Sequence, residues 1–333
     1  MIQNLNGQKI FIAGASGMVG SAIYRAFKKY EKINNINSIK YLTPSREELD
    51  LENYTKVNEW FYTHKPENTI LAAAKVGGIF ANNNNPTDFI LRNLKIQSNI
   101  IEAAWKNGVE KFIFLGSSCI YPKFAEQPIR EESLLKGELE TTNQWYAISK
   151  IAGIKLCEAL KFEHNFNCLS LMPTNLYGPK DNYHPLNSHV MASLIRKFCI
   201  AKLNNQPQVI CWGSGNPLRE FMHVDDLANA IIYIFKNWDL KFKKLPLKEN
   251  GRMLNYLNIG TGHEISIKDL SLKIANIVGY KGEIKWDKSK PDGTPRKLLN
   301  SEKLRKLGWK PEISLTEGID MTINEFMKNE IKV

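Results

Sequence analysis

Short apolar runs alternate with longer segments of helical periodicity along the first half of the chain. Each apolar run has the length of one buried strand, and the runs lie at Lys9–Ala13, Ser38–Leu42, Thr69–Ala74, Lys111–Leu115 and Cys168–Met172. Apolar residues at helical spacing predict helices after the first run and over Asp88–Asn107, Tyr146–Glu163 and Asp225–Asn237. This alternation predicts right-handed βαβ units and an α/β fold with a Rossmann-like doubly wound parallel sheet.

The pattern loosens after Pro173, where loops rich in Gly, Pro and Asn follow one another. This change predicts a smaller, irregular C-terminal domain that binds the substrate. We therefore expect a Rossmann domain over residues 1–176, rejoined by a segment near residues 219–240, and a mainly substrate-binding domain over residues 177–333. Residues 238–252 are polar and basic, which predicts an exposed loop.

The length and composition are those of a globular chain. A length of 333 residues suits one large domain or two closely joined ones, and 43% hydrophobic with 24% charged residues exclude a disordered or collagen-like protein. No apolar run is long enough to span a bilayer, and the N-terminus lacks the features of a secretory signal. The five cysteines include no CxxC pair, which fits reduced thiols. We therefore expect a cytoplasmic protein without a membrane partner.

The net charge of +11 has two interpretations. It fits a nucleic-acid or polyphosphate partner, or it follows from a bias towards Asn, Ile and Lys throughout the chain. Because the charge is spread out rather than concentrated in one tract, we favour the bias and expect no nucleic-acid partner. An anionic small substrate would still benefit from a basic cleft.

Three glycines, Gly14, Gly17 and Gly20, follow the first predicted strand and precede a predicted helix. Glycine permits a tight turn and lets the backbone approach a pyrophosphate at the positive end of the helix. The loop and the helix start also contain Ala15, Ser16, Met18 and Val19, so we predict cofactor binding by all seven residues. The alternative is a glycine-rich turn without a ligand.

The end of the second strand indicates which dinucleotide is bound. An acidic residue there would bind a free 2′-hydroxyl, whereas an arginine favours a 2′-phosphate. The chain has Arg46 at this place, and Ser16 could add a hydroxyl, so we predict NADP(H) rather than NAD(H). Asp50 and Leu51 would flank the adenine. The alternative for Arg46 is a solvated surface arginine beside Glu47.

Tyr146 and Lys150 are four residues apart on a predicted helix and therefore share one face. A nearby ammonium group would lower the pKa of the phenol, which could then exchange a proton with a carbonyl or alcohol. Ser117 follows the carboxyl end of the fourth strand, where a substrate carbonyl would bind. The alternative for the pair is a chance arrangement on a surface helix. Ser, Tyr and Lys behind an N-terminal glycine loop resemble the extended short-chain dehydrogenase/reductase superfamily.

Longer motifs resemble one family of that superfamily over nearly the whole chain. They are AAAKVGGI (72–79), LGSSCIYP (115–122), YAISKIAGIKLCE (146–158), MPTNLYGP (172–179), NSHV (187–190), WGSGNPLREFMHVDD (212–226) and KPDGTPRKLL (290–299). These segments are similar to the GDP-L-fucose synthase family. The resemblance implies 3,5-epimerisation and NADPH-dependent 4-reduction of GDP-4-keto-6-deoxy-D-mannose, a GDP-sugar, by a homodimer without a metal.

The resemblance also implies roles for individual residues. It makes Cys119 and His189 the base and acid of epimerisation, although a buried Cys and a loop His are more often structural. It adds residues to the cofactor site, namely Leu115, Gly116, Ser117, Ser118, Lys150, Pro173, Thr174, Asn175, Leu176 and His189. It assigns substrate binding to Lys197, Trp212 and Arg219 and, as further candidates, to Asp292 and Lys297. Two qualifications apply to this set: the family can have Arg in place of Lys197, and Trp212 could be an ordinary core aromatic.

Two other functions remain open from the residues alone. A nucleotide-sugar 4-epimerase or 4,6-dehydratase would retain and recycle its cofactor, but Cys119 together with His189 disfavours a plain 4-epimerase. A dehydratase would need an acidic residue after Ser117. A non-catalytic NADP-sensing protein would have no need of Ser117, Tyr146 and Lys150 for proton transfer.

Overall fold

The computed structural model describes residues 5–36, 38–238, 246–247, 251, 253–290 and 292–331. Its strands in chain order are β1 (Lys9–Ala13), β2 (Lys40–Leu42), β3 (Asn68–Leu71), β4 (Lys111–Leu115), β5 (Cys168–Pro173), β6 (Asn175–Tyr177), β7 (Gln208–Trp212), β8 (Leu218–His223), β9 (Tyr256–Ile259), β10 (Glu264–Ser266), β11 (Glu283–Asp287) and β12 (Arg296–Lys297). Its helices are α1 (Met18–Asn34), α2 (Tyr54–His64), α3 (Ile79–Asn84), α4 (Pro86–Lys106), α5 (Gln144–His164), α6 (Val190–Leu203), α7 (Val224–Asn237), α8 (Ile267–Val278), α9 (Glu302–Lys306) and α10 (Leu315–Asn329).

The main sheet has six parallel strands in the order β2-β1-β3-β4-β5-β9. The prediction of a Rossmann-like doubly wound sheet is confirmed. All five predicted strands form, although β2 and β3 are shorter than expected. The sixth strand, β9, comes from the C-terminal half of the chain and pairs with β5. The chain leaves β1 towards β2 and returns to β3 on the other side, which makes the carboxyl ends of β1 and β3 the topological switch point.

Burial explains why these segments form one parallel sheet with helices on its faces. Every residue of β3, β4 and β5 is buried, as expected for parallel strands with both faces covered. Helix α1 packs against α7, and α4 packs against α2 and α5, so helices flank the sheet. The carboxyl ends of the strands and the loops that follow them therefore form one edge at which a ligand can bind.

A smaller part of the molecule is built around β8. This strand pairs with β6, β10 and β12, while β7 and β11 form a separate parallel pair. Helices α6, α8 and α10 pack together over a second apolar core that contains Phe198, Ile274 and Ile319. Helix α7 packs against α1, one of the helices that flank the main sheet.

The predicted exposed loop over residues 238–252 falls mostly outside the described residues, which lack 239–245, 248–250 and 252. Its first residue differs from the expectation, because Trp238 is buried. The backbone N–H of Trp238 ends α7 by donating to Ile234, and its indole lies 5.7 Å from the ammonium of Lys161. The large apolar ring therefore packs into the core as the last residue before the loop.

None of the helices in the described part of the chain has both the length and the apolar character that a bilayer span requires.

Candidate active site

The glycine loop joins β1 to α1 with no room for side chains at two positions. Gly14 has a φ of +85°, and a Cβ there would lie 2.9 Å from the backbone of Ala73, two residues after β3. A Cβ on Gly20 would lie 2.1 Å from the carbonyl oxygen of Gly14. Gly17 precedes α1 without a side-chain cap, so the first backbone N–H groups of the helix point into the loop without a capping partner. These features fit a pyrophosphate held by backbone donors at a helix N-terminus.

Arg46 lies after β2 with its side chain 76% exposed. Its nearest ion pair is a loose one with Glu52 at 3.7 Å, whereas Arg92 binds the same carboxylate at 2.7 Å. Asp50 and Leu51 follow in the next turn, which the backbone N–H of Asn53 closes by donating to Asp50 at 3.1 Å. Because Glu52 is bound mainly by Arg92, the guanidinium of Arg46 is free to bind an anion at the sheet edge.

Ser117, Tyr146 and Lys150 meet at the carboxyl end of β4. The ammonium of Lys150 donates to the carbonyl oxygen of Leu115 at 2.8 Å and lies 5.8 Å from the centre of the Tyr146 ring. A hydrogen bond joins the side chains of Ser117 and Tyr146. The helix α5 thus places its Tyr and Lys against the loop that follows β4, as the sequence predicts for one helix face.

The protonation of this group differs from the expectation that Lys150 lowers the pKa of Tyr146. Burial raises the pKa of Tyr146, the charge of Cys119 raises it further, and the hydrogen bond with Ser117 only partly opposes this. Burial also lowers the pKa of Lys150 to about 7, so its positive charge is itself disfavoured. Desolvation is the largest cause for each group, and Tyr146 is a neutral phenol that can donate a proton.

Cys119 is half-buried in a short 3₁₀ turn over Ser118–Ile120. Its sulfur accepts from the side-chain amide of Asn143 at 3.5 Å and from the ammonium of Lys297 at 3.6 Å. Its backbone N–H donates to the hydroxyl of Ser117 at 3.2 Å. The thiol therefore faces the same cleft as Ser117 and Tyr146 and has two polar donors around it.

His189 immediately precedes α6 and is exposed to the open cleft. The surrounding protein and the positive charge of Lys297 lower the pKa of His189. Arg219 lies in β8, opposite Lys297 in the neighbouring strand β12. Desolvation lowers the pKa of Arg219, while the charges of Cys119 and Asp292 raise it. The structure thus brings His189, Arg219 and Lys297 to the cleft that contains Cys119.

The segment Pro173–Leu176 crosses from the main sheet to the smaller part of the molecule. Thr174 and Asn175 both donate their side chains to the backbone oxygen of Glu220, at 3.1 and 2.8 Å. Leu176 pairs with Met222 in the neighbouring strand β8. The segment is therefore fixed at the carboxyl end of β5, next to the strand that contains Arg219.

Trp212 and Lys197 form a second group at the end of β7. The ammonium of Lys197 donates to Ile210 at 2.8 Å and lies 5.4 Å from the centre of the Trp212 ring, and the ammonium of Lys290 lies 5.5 Å from the same ring. Trp212 is 44% exposed, so it is not a core aromatic. An exposed indole between two cations can stack on a flat ring and hold an anion nearby.

Asp292 has a structural partner within the loop after Trp212. Its carboxylate accepts from the backbone N–H and the hydroxyl of Ser214, each at 2.7 Å. Gly213 has a φ of +83° and no room for a Cβ beside this carboxylate. Asp292 therefore shapes the loop next to Trp212, whereas Lys297, five residues later, lies against Cys119.

Two residues that the sequence prediction missed contribute to the site. Asn143 precedes the first residue of α5 and, instead of capping the helix with its side chain, donates its amide to the sulfur of Cys119. Its position directly before the helix that contains Tyr146 was the signal available in the sequence. Glu220 is fully buried and accepts from the backbone N–H groups of Gly262 at 2.7 Å and Leu299 at 3.0 Å. A glutamate beside Arg219 gives no such signal in the sequence, because its partners lie far along the chain.

Known proteins are similar to this chain over most of its length. Residues 10–244 match the model of the NAD dependent epimerase/dehydratase family. The chain is 49% identical over 321 residues to GDP-L-fucose synthase 1 of Arabidopsis thaliana, with 96% of this chain and 94% of that protein covered. It is 48% identical over 326 residues to the GDP-L-fucose synthase of Escherichia coli K12, with 98% of each covered. A solved structure of a GDP-mannoheptose C4 reductase from Campylobacter jejuni with NADP bound matches with a TM-score of 0.85 and 37% identity, covering 97% of this chain and 99% of that one.

Proposed function

The chain belongs to the NAD dependent epimerase/dehydratase family and, within it, to the GDP-L-fucose synthases, and from this premise we propose how its residues divide the reaction. The activity is conversion of GDP-4-keto-6-deoxy-D-mannose to GDP-L-fucose by 3,5-epimerisation and NADPH-dependent 4-reduction. The observation that carries the assignment is the meeting of Ser117, Tyr146 and Lys150 beside the Cys119 thiol.

The cofactor is NADP(H), and when bound it supplies the hydride that reduces the C4 ketone. The glycine loop would hold its pyrophosphate, and the exposed guanidinium of Arg46 would bind the 2′-phosphate. Lys150 and the segment Pro173–Leu176 lie at the same sheet edge and would enclose the nicotinamide end.

For the reduction, Tyr146 donates its proton to the C4 oxygen. Its raised pKa keeps the phenol protonated at neutral pH, which is the form that a proton donor needs. Ser117 hydrogen-bonds the same oxygen and steadies Tyr146. Lys150 donates a hydrogen bond to the backbone oxygen of Leu115 and lies beside the Tyr146 ring. It would thereby fix the position of this ring relative to the substrate.

For the epimerisation, Cys119 removes the proton from the carbon next to the ketone, and His189 returns a proton to the opposite face. The electron pair left by the proton is delocalised onto the ketone oxygen as an enolate and returns when the new C–H bond forms. Both groups face one cleft, with the ammonium of Lys297 as a neighbour of each. Two groups at different positions are needed because a single one cannot serve both faces of the carbon.

The GDP part of the substrate would occupy the basic region near Trp212. Lys197 and Arg219 supply positive charge for the diphosphate, and the exposed indole of Trp212 supplies a flat surface for the base. Asp292 would support this site by accepting two hydrogen bonds from Ser214, which shape the loop after Trp212.

We further propose that the protein is a cytoplasmic homodimer with the cofactor in residues 1–176 and the substrate mainly in residues 177–333. Exposed apolar side chains on α4 and α5, including Leu91, Trp145, Ile148 and Phe162, support pairing through these helices. All five cysteines are free, which suits a reducing compartment.

The test is incubation of the purified protein with GDP-4-keto-6-deoxy-D-mannose and NADPH, followed by identification of the sugar product. We expect stoichiometric NADPH oxidation and formation of GDP-L-fucose. A recycled cofactor without net NADPH consumption would indicate a 4-epimerase or dehydratase, and no reaction at all would indicate a sensor.

A further inference from the structure

We propose that Lys297 is the counter-ion of Cys119 and holds this side chain as the thiolate that acts as a base. The sequence placed Lys297 among the substrate-binding candidates, but its ammonium lies 3.6 Å from the Cys119 sulfur. This inference rests on the proposed function, because it explains how the proposed base is prepared. It concerns a positioning residue that acts on the substrate only through the sulfur.

The backbone around Lys297 is fixed on both sides. Lys297 pairs with Arg219 of β8, and the next two residues donate their backbone N–H groups to Gln127 at 2.9 Å and to the buried Glu220 at 3.0 Å. The direction of the Lys297 side chain is therefore set by the strand and not by a flexible loop. Strand alternation directs the neighbouring Arg296 elsewhere, where it binds Glu264 at 2.8 Å.

Several other groups face the sulfur from the surrounding elements. Asn143, at the start of α5, donates a neutral amide at 3.5 Å, and Tyr146 from the same helix presents a phenol that burial keeps protonated. Arg219 of β8 also interacts electrostatically with Cys119. Lys297 and Arg219 are thus the two cations that could balance a thiolate.

The charges near these two cations favour Lys297 in this role. Asp292 and Glu140 both interact with the charge of Arg219, whose guanidinium also donates to the backbone of Leu218 at 2.9 Å. Over the described part of the chain, by contrast, no carboxylate forms an ion pair with Lys297. The sulfur is therefore the only anion-forming partner that the described residues place on this ammonium.

His189 is the weaker candidate for the counter-ion. Desolvation and, to a smaller extent, the positive charge of Lys297 lower the pKa of His189 and so disfavour a positive charge on its imidazole. A thiolate stabilised by imidazolium, as in many Cys–His pairs, would need surroundings that favour the protonated form of the histidine. We therefore assign stabilisation of the Cys119 thiolate to Lys297 and leave His189 for proton return.

Alkylation of Cys119 by iodoacetamide tests this assignment directly, because only the thiolate reacts. The other four cysteines, Cys157, Cys168, Cys199 and Cys211, are at most 1% exposed, so the rapid phase reports Cys119. The rate is measured on the full chain from pH 6 to pH 10, and the modified peptide is identified by mass spectrometry. In Lys297→Met we expect the alkylation rate at pH 7 to fall about tenfold.

Three further variants serve as matched controls. Lys297→Arg keeps the charge and should retain most of the wild-type rate at pH 7. Arg296→Met removes the same charge from the adjacent residue of the same strand and should leave the profile unchanged. His189→Asn should also leave the profile unchanged. A wild-type profile in Lys297→Met, or a tenfold loss in His189→Asn, would overturn the proposal.

Folding and the proposed function are checked separately. NADPH binding and thermal unfolding show whether Lys297→Met is folded, and Lys297→Gln replaces it if it is not. GDP affinity should stay within about twofold of wild type, whereas a diphosphate-binding role would weaken it. Because alkylation needs no sugar substrate, it can refute the role of Lys297 even if the activity test succeeds, and it can support it even if that test fails.

Discussion

The ammonium of Lys150 donates a hydrogen bond to the backbone oxygen of Leu115, 2.8 Å away, and so ties helix α5 to the end of strand β4. Both residues are buried, and the Lys150 ammonium also lies 4.8 Å from the centre of the Phe114 ring. Burial disfavours the charged form of the ammonium, which is why the pKa of Lys150 falls to about 7. Burial of Lys150 therefore lowers the stability of the fold but places its ammonium beside Tyr146, the proposed proton donor.

Lys150 should make stability depend on pH. Its pKa of about 7 in the folded chain lies below the ordinary value of 10.5, so between these values the unfolded chain binds more protons. The free energy of unfolding should therefore rise with pH across this window, on the order of 1–3 kcal/mol between pH 6.5 and pH 9.5. Urea unfolding of the wild type and Lys150→Met, without cofactor, isolates the contribution. The same pH slope in both proteins would contradict the assigned pKa.

Arg46 should select NADPH over NADH. Its guanidinium is 76% exposed and only loosely paired with Glu52, so it can bind a 2′-phosphate. A charge-assisted hydrogen bond contributes about 1.5–3 kcal/mol, or roughly tenfold to a hundredfold in affinity. Arg46→Ala should lose that affinity for NADPH and keep its affinity for NADH, as measured by fluorescence titration.

The matched control for Arg46 is Lys40→Ala. Lys40 is an exposed cation at the start of β2, at the end of the strand away from the cofactor edge. It should leave the affinity for both cofactors unchanged. An equal loss for both cofactors in Arg46→Ala would show that Arg46 supports the fold instead.

The sequence predicted the main sheet because parallel strands buried on both faces are continuous apolar runs. The prediction for β4 coincides with the structure, and every residue of this strand is buried. Strand β9 has only four residues and follows a polar segment, so its membership of the sheet depends on pairing with β5 and not on a local pattern. Tertiary pairing of this kind leaves no periodic signal in the sequence.

The candidate site was predictable where its residues share one motif or one helix. Tyr146 and Lys150 lie on one helix face, and Ser117 follows a predicted strand. The contact between Lys297 and Cys119 joins residues 178 positions apart, so no spacing rule reveals it. The raised pKa of Tyr146 also depends on burial in the folded chain, which the sequence does not specify.

Tyr146→Phe should slow the reduction strongly and leave the epimerisation intact. The variant loses the phenol proton that goes to the C4 oxygen but keeps the Lys150–Leu115 hydrogen bond and the glycine loop. Loss of a positioned general acid should slow NADPH oxidation by about 10²- to 10⁴-fold. Substrate incubated in D₂O should still gain deuterium at C3 and C5, and NADPH should still bind. NADPH oxidation near the wild-type rate would refute the role of Tyr146.

Cys119→Ser should have the reciprocal effect and therefore forms a matched pair with Tyr146→Phe. The substitution keeps the shape of the side chain and its place between Asn143 and Lys297, but a hydroxyl ionises far less readily than a thiol. Proton removal at C3 and C5 should slow sharply, and deuterium from the solvent should no longer enter these positions at the normal rate. Hydride transfer should remain, because Ser117 and Tyr146 are unchanged, so the variant should reduce some un-epimerised ketone and release a GDP-6-deoxyhexose other than GDP-L-fucose. Mass spectrometry and sugar analysis of the product distinguish the two outcomes. If Cys119→Ser makes GDP-L-fucose at the wild-type rate with normal deuterium incorporation, Cys119 is a packing residue and another group is the base.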